Sequence, residues 1–295
     1  MQDKPYKSVL IVGCGYIGRR VAKLLQAAGC RVNGSVRSEA SRARLKDAGI
    51  DASLLDLDQP DSGHDTVSSY DAILYLAPPQ PEGDRDLRMQ VFLRLLDTRT
   101  PPRRMVYIST SAVYGDCQGA WITESQPVNP ATARGYRRLD AEQQLREWCG
   151  AHAVQWMLLR VPGIYGPGKL PLARLRKGTP VLSEADSPYT NRIHGDDLAA
   201  ICVAALTSPH ANEIYNVSDG HPSNMTDYFF RVADAAGLPR PPVVDRDEAG
   251  RVLTKGKISF LNDSRRMGND KLLNELDVSL TYPDLDAGLK SCFKD

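Results

Sequence analysis

Gly13-Cys14-Gly15-Tyr16-Ile17-Gly18 places three glycines at the spacing of a loop that lets the backbone approach a phosphate closely. Gly13 permits a tight turn, Gly15 removes the Cβ that would block a pyrophosphate, and Gly18 allows a helix to pack closely on a strand. Tyr16 and Ile17 belong to the same cofactor loop, and the exposed N–H groups at the start of the helix that follows then attract the phosphates. Dinucleotide binding is the chemistry this spacing serves. About 20 residues further on, an NAD site usually places an acid for the ribose hydroxyls, whereas a 2′-phosphate needs a cation. This chain has Val36-Arg37-Ser38 there, with no acid until Glu39. A guanidinium at Arg37 can hold a phosphate through two parallel charge-assisted hydrogen bonds, so NADP(H) is favoured over NAD(H). Arg37 can equally be a solvent-facing residue that opens a surface helix.

These residues need a scaffold. Ser8 to Val12 is a short apolar run leading directly into the glycines, and Arg19 to Ala28 reads as a helix closed by Gly29. Strand-like and helix-like segments then alternate: Arg31 to Val36, a helix from Ser38, Ala52 to Leu55, Ala72 to Leu76 and a helix from Asp84. Met105 to Ser109, a helix from about Ala133 to Cys149 and Val154 to Leu159 continue the pattern. Such alternation predicts an α/β fold, a Rossmann doubly wound parallel sheet covered on both faces. Pro and Gly interrupt the second half, which still holds Asn191 to Ile193, a helix from Asp196 and a strand at Glu213 to Val217. The expected division is a core over 1–160, its sheet completed by about 190–219. Residues 161–189 and 220–295 would form a smaller C-terminal substrate lobe.

Composition excludes several alternatives. At 295 residues and 42% hydrophobic content the chain can bury a sizeable core, and a net charge of +1 favours neither nucleic acid nor a membrane. Met1 to Lys7 lacks an apolar signal stretch, and no apolar run approaches the roughly 18 residues of a membrane span, so a cytoplasmic location is expected. Six cysteines without CxxC pairing, and five scattered histidines, predict buried reduced thiols and no metal site. Oligomeric state is open, a dimer included.

Further segments carry a resemblance. Ile108-Ser109-Thr110-Ser111-Ala112-Val113-Tyr114-Gly115, Leu159-Arg160-Val161-Pro162-Gly163-Ile164-Tyr165-Gly166, Arg192-Ile193-His194-Gly195-Asp196-Asp197 and Ile214-Tyr215-Asn216-Val217 accompany the glycine loop. From about Lys7 to Asp219 the chain resembles the extended short-chain dehydrogenase/reductases, the NAD-dependent epimerase/dehydratase superfamily. That resemblance implies nicotinamide at the C-terminal edge of the sheet and substrate between two lobes. It places Asp56 and Leu57 beside the adenine, Leu76, Ala77 and Pro78 along the cofactor ribose, and Ser109 at the cofactor. Val161, Pro162 and Gly163 would back the nicotinamide, with Thr110 at the catalytic hydroxyl position.

One departure limits the chemistry. The family's acid/base is a Tyr followed four residues later by a Lys, usually with a Glu four beyond. Anchoring on Glu142 puts Arg138 at the Lys position and Arg134 at the Tyr position. At about 100° per residue, Arg134, Arg138, Ala141, Leu145 and Trp148 fall on one stripe, with Tyr136 roughly 200° from Arg134. A register using Tyr136 would instead place Asp140 at the Lys position, which raises a phenol's pKa. Arginine holds its proton above about pH 12, so Arg134 is a poor shuttle. Arg138 remains a candidate to hold the nicotinamide ribose and polarise a carbonyl. Tyr136, Tyr114, Tyr165 or a substrate hydroxyl are candidate proton sources. Ser111-Ala112 stands where the family's sugar-nucleotide dehydratases carry Asp-Glu, which argues against dehydration. The chain thus resembles the atypical branch that lacks the complete Tyr/Lys pair.

Two functions follow as expectations. One is an NADP(H)-binding oxidoreductase or epimerase acting on a carbonyl or hydroxyl of a small, nucleotide-linked or otherwise anionic substrate. Basic residues of the second half, Arg174, Arg192, Lys255, Lys257, Arg265 and Arg266 among them, fit an anion, although charged surface runs are usually just solvated. The alternative is a noncatalytic NADP(H)-binding sensor or regulatory protein.

Overall fold

Seven strands form the centre of the computed structural model, which describes residues 6–59, 66–67, 69–252, 258, 261 and 263–293. They are β1 (Ser8–Val12), β2 (Arg31–Val36), β3 (Asp51–Leu54), β4 (Ala72–Tyr75), β5 (Arg104–Thr110), β6 (Gln155–Val161) and β7 (Glu213–Asn216). All pair in parallel, in the order β3-β2-β1-β4-β5-β6-β7. The order reverses between β1 and β4, which opens a crevice at the strands' carboxyl ends. All five residues of β1 are buried, which is why its sequence is an unbroken apolar run and not an alternating one.

Helices α1 (Tyr16–Ala27), α2 (Glu39–Asp47), α3 (Leu87–Asp97), α4 (Ala133–Ala151) and α5 (Gly195–Thr207) cover the sheet. On one face, Val21 and Leu25 of α1 pack with Leu198 and Ile201 of α5 against Val9 and Ile11. On the other, Phe92 and Leu96 of α3 and Ala141 and Leu145 of α4 meet Leu10, Val12 and Tyr75. The doubly wound α/β fold is therefore as the alternating pattern implied. A separate apolar cluster gathers Tyr165, Leu175, Val181, Phe229 and Leu289 around the helix Met225–Ala235.

Some boundaries differ for identifiable reasons. Helix α3 starts at Leu87, not Asp84, because Asp86 is the residue whose Oδ1 accepts from Met89 N, at 2.9 Å. Helix α1 begins at Tyr16, so its first turn belongs to the glycine loop itself. The strand Arg192–His194 stays out of the central sheet and pairs with Gly163–Tyr165, because β7 occupies the place beside β6. None of the six cysteines is disulfide-bonded; Cys14, Cys149 and Cys202 are buried as expected, whereas Cys30, Cys117 and Cys292 are only half-buried.

A buried ion pair fixes α4 to the sheet. Arg160 of β6 donates Nε to Glu142 Oε1 at 3.2 Å and Nη2 to Oε2 at 2.8 Å, and Ser109 Oγ donates to Oε1 at 2.5 Å. The two charged side chains are 5% and 2% exposed. Removing one partner strands the other charge in a dry interior. Arg160→Met should lower unfolding free energy by about 3–5 kcal/mol in urea titrations, with apolar replacement of both partners recovering much of it. A loss below about 1 kcal/mol for Arg160→Met, the range of a surface pair, would contradict a buried clamp.

Candidate active site

The glycine loop turns sharply at the end of β1. Gly13 adopts φ +79°, and its N–H and that of Cys14 both donate to Ser35 O, at 3.1 and 2.9 Å. A Cβ at Gly13 would sit 2.7 Å from Ala77 N, whereas one at Gly15 would meet nothing closer than Gly13 O at 3.9 Å. The loop is thus pressed against the Leu76-Ala77 segment that follows β4 on one side and open on the other. A Cβ at Gly18 would lie 3.1 Å from Ile11 Cγ2 and Cys14 Sγ, which accounts for the close helix-on-strand packing. Helices α2, α3 and α4 are capped by Ser38, Asp86 and Thr132, but Gly15 gives α1 no side-chain cap. The first N–H groups of α1 are therefore available to an anion.

Two hollows flank this loop. One of about 260 Å³ is lined by Gly13, Arg37, Asp56, Leu57, Ala77, Pro78 and Arg88. Arg88, which the sequence reading missed, shapes it: its Nε and Nη2 bind Asp58 Oδ1 and Oδ2 at 2.7 and 2.6 Å, and its Nη1 reaches Pro78 O at 3.0 Å. The Arg88 hydrogen bonds hold the Asp58 carboxyl below its usual range. Arg37 makes only a 3.4 Å contact with Asp58, and its side chain is 65% exposed. The other hollow, of about 580 Å³, is lined by Gly15, Tyr16, Arg19, Arg44 and Lys169. Ile17 is a core residue, so any contact with phosphate comes from its backbone. Cys14 is inert, its thiol pushed up to about 12 by burial.

A third cavity, of about 680 Å³, lies at the end of β5. Thr110, Pro162 and Gly163 line it together with Arg134, Arg174, Arg192, Arg265, Asp263, Tyr189 and Tyr228. Thr110 Oγ1 caps the following turn by accepting from Ala112 N at 3.3 Å, which leaves its own proton free to be donated. Helix α4 comes close because Gly135 lacks a Cβ, which would sit 3.0 Å from Ala112 O. That approach brings Arg134 into the cavity. Lys255 and Lys257 lie outside the described residues.

Several expected roles are corrected by this geometry. Tyr136 is 48% exposed on the outer side of α4 and does not line the cavity, as its angular offset from Arg134 implied. Tyr114 is 1% exposed, with its hydroxyl donating to Asn216 Oδ1 at 2.7 Å, so it cannot deliver a proton to the cleft. Tyr165 is likewise closed in, its hydroxyl on Asp284 O. The Ser109 hydroxyl is spent on Glu142 and does not reach a cofactor. Arg138 sends Nη1 to Tyr107 OH and Ile108 O, at 3.0 and 3.2 Å, and ties α4 to β5 instead of lining the cavity. Val161 is buried in the core and the half-buried Leu76 packs against it, while Pro162, Gly163 and Pro78 are the more open residues of their segments and Ala77 borders its hollow although itself buried. Tyr228 was missed, because its place in the cleft is set by a helix that no motif marks.

Residues 9–218 match the model of the NAD dependent epimerase/dehydratase family. The chain belongs to that family. It is 29% identical over 287 residues to Protein YeeZ of Escherichia coli (strain K12), which covers 94% of this chain and 97% of that protein. A functionally unknown conserved protein from Silicibacter pomeroyi DSS shares 32% identity and a TM-score of 0.81, over 97% of this chain and 98% of that one. UDP-glucose 4-epimerase from Thermotoga maritima, solved with UDP-glucose, has a TM-score of 0.79 at 16% identity over 97% of each chain and shows the same fold.

The glycine loop fits the family's dinucleotide. Gly13 to Gly18 would hold its pyrophosphate, Asp56 to Arg88 its adenosine, and Pro162-Gly163 its nicotinamide. Gly15→Val tests the fit, because its side chain points into open space within the fold. It should leave the melting temperature within a few degrees while weakening dinucleotide binding, read with NADPH and NADH in turn, at least about tenfold in calorimetric titrations. Unchanged affinity would remove the loop from the binding site.

Proposed function

We propose that this protein is an NADP(H)-dependent oxidoreductase or epimerase acting on a carbonyl or hydroxyl of a small anionic substrate, nucleotide sugars being one class of that description. The observation that carries the reading is the shared cavity: a strand-end hydroxyl, Thr110, and a phenol, Tyr228, face one space beside Pro162 and Gly163. When bound, the cofactor supplies or accepts the hydride. Thr110 hydrogen-bonds the substrate oxygen and orients it. Tyr228 supplies the proton that the missing family Tyr would have given. Its ring lies 4.1 Å from the Arg192 guanidinium, which in turn packs against Gly163. Burial raises the Tyr228 phenol more than Arg192 lowers it, so it stays protonated through neutrality and serves as an acid.

Preference for NADP(H) follows from Arg37, which has a weak partner and no acid beside it in sequence. Six free cysteines fit a reducing cytoplasm. The replacement of the usual Tyr and Lys by Arg134 and Arg138 favours a second reading, a noncatalytic NADP(H) sensor.

Oxidation of NADPH with a panel of carbonyl acids and nucleotide sugars separates the two. On the reactive compound, Thr110→Ala and Tyr228→Phe should each lower kcat by about 10²–10⁴-fold with NADPH affinity unchanged. The reduction rate should be flat through neutrality and fall only above about pH 10. NADPH binding without turnover of any member would support the sensor. Arg37→Ala should weaken NADP(H) by about tenfold or more while sparing NAD(H), and equal losses for both would sink the phosphate role.

A further inference from the structure

The cavity at Thr110 is strongly cationic. Four guanidinium groups, from Arg134, Arg174, Arg192 and Arg265, face a single carboxylate, Asp263, among its described lining residues. Three of the four are held by backbone carbonyls: Arg174 Nη2 by Pro180 O at 3.2 Å, Arg192 Nη1 by Asn191 O at 2.7 Å, and Arg265 Nη1 by Gly115 O. Phe229 and Tyr228 stack on Arg174 and Arg192, each at 4.1 Å. A carbonyl or an aromatic face orients a guanidinium without cancelling its charge. Arg265 is 8% exposed, and its Nε and that of Arg174 are buried without a hydrogen-bond partner among the described residues. Burial also pulls the Arg134, Arg174 and Arg192 guanidinium groups below their ordinary value.

Two of the four bracket the turn that carries Thr110. Arg134 precedes Gly135, whose missing side chain lets α4 reach Ala112 O, and Arg265 grips Gly115 O at the far end of the same turn. Asp263 lies 3.5 Å from Arg265 Nη1 and acts on Arg134 as well, so one carboxylate is divided between two cations. We infer that Arg134 and Arg265 form an oxyanion seat beside Thr110, which takes a carboxylate or phosphate carried by the substrate close to its reacting carbon. Arg134, at the position of the family's proton donor, thereby becomes an anchor for substrate charge. The seat selects small carbonyl or hydroxy acids, or their phosphorylated counterparts. A sugar nucleotide such as UDP-glucose carries its charge on a diphosphate across the sugar ring from C4, and matches this placement poorly. The inference rests on the proposed reading of this cavity as the substrate site.

Calorimetric titration of the full chain with oxamate, inorganic phosphate and uridine diphosphate tests it, with and without saturating NADP+. Oxamate or phosphate should bind, the stronger of the two naming the source of the anion. Arg134→Gln and Arg265→Lys should each weaken that binding by at least about tenfold, while Arg94→Gln, on the exposed face of α3 and away from all three hollows, leaves it unchanged. Arg134→Lys guards against a folding defect, since it keeps the charge and loses the fork; it should bind more weakly than wild type with an unaltered thermal melt. Affinity within twofold of wild type in Arg134→Gln, binding by uridine diphosphate alone, or no anion binding at all would overturn the seat. Because the titration reads binding and not turnover, anion binding without NADPH oxidation would defeat the oxidoreductase reading and leave the seat standing. Turnover of a neutral carbonyl with no anion binding would do the reverse.

Discussion

The contact between Gly13 and Ala77 is the constraint on which the site depends. Strands β1 and β4 are neighbours whose connections leave in opposite directions, so their carboxyl ends diverge and a crevice opens between them. Gly13 can turn there only because it has no Cβ to strike Ala77, and Ser35 O fixes the turn by accepting two successive N–H groups. That single turn aims α1 at the crevice with its first N–H groups uncapped. It also sets the hollow of Asp56 and Arg88 on one side of the loop and the basic hollow on the other.

What happens beyond the cofactor is governed by how α4 sits on β5 and β6. The Glu142–Arg160 pair, with Ser109 on one carboxylate oxygen, fixes the middle of the helix, and Arg138 ties the next turn to Tyr107. Residues at the family's catalytic positions have thereby taken other duties: Arg138 braces the scaffold and Arg134 lends charge to the cavity. In the proposed reaction the acid/base work falls to the opposite wall, where Tyr228 and Arg192 form a phenol-and-cation pair supplied by different elements. A fold can keep its reaction site while moving the proton donor, because the site is defined by the cofactor's edge and several chain segments reach it.

Much of this was legible in the sequence wherever local rules decide the outcome. The run into Gly13 is a strand in the sequence and in the fold, since a continuous apolar stretch between turn residues has few other solutions, and residues 31–36 follow from the strand–helix alternation. Helical periodicity alone separated Tyr136 from the inward stripe of Arg134, Arg138 and Ala141. Long-range pairing was not legible. Arg88 braces Asp58 and Arg160 meets Glu142 from distant points in the chain, and nothing local marks either partner. The closed environments of Tyr114 and Ser109 were hidden for the same reason: a hydroxyl in a motif gives no sign of whether Asn216 or Glu142 has already claimed it. Arg137 is buried off the stripe because the loop before α3 covers it, with Gly83 O accepting its Nη1.

The central claim is that the glycine loop and the arginine-lined cavity are two ends of one site, with the reactive edge of the cofactor at Thr110. A crystal structure of the NADP+ complex tests it most directly. The account predicts the adenosine between Asp56 and Arg88, the 2′-phosphate on Arg37, and the nicotinamide against Pro162-Gly163 with C4 facing the Thr110 hydroxyl. A nicotinamide turned away from that cavity, or a dinucleotide bound anywhere other than the Gly13–Gly18 loop, would contradict it.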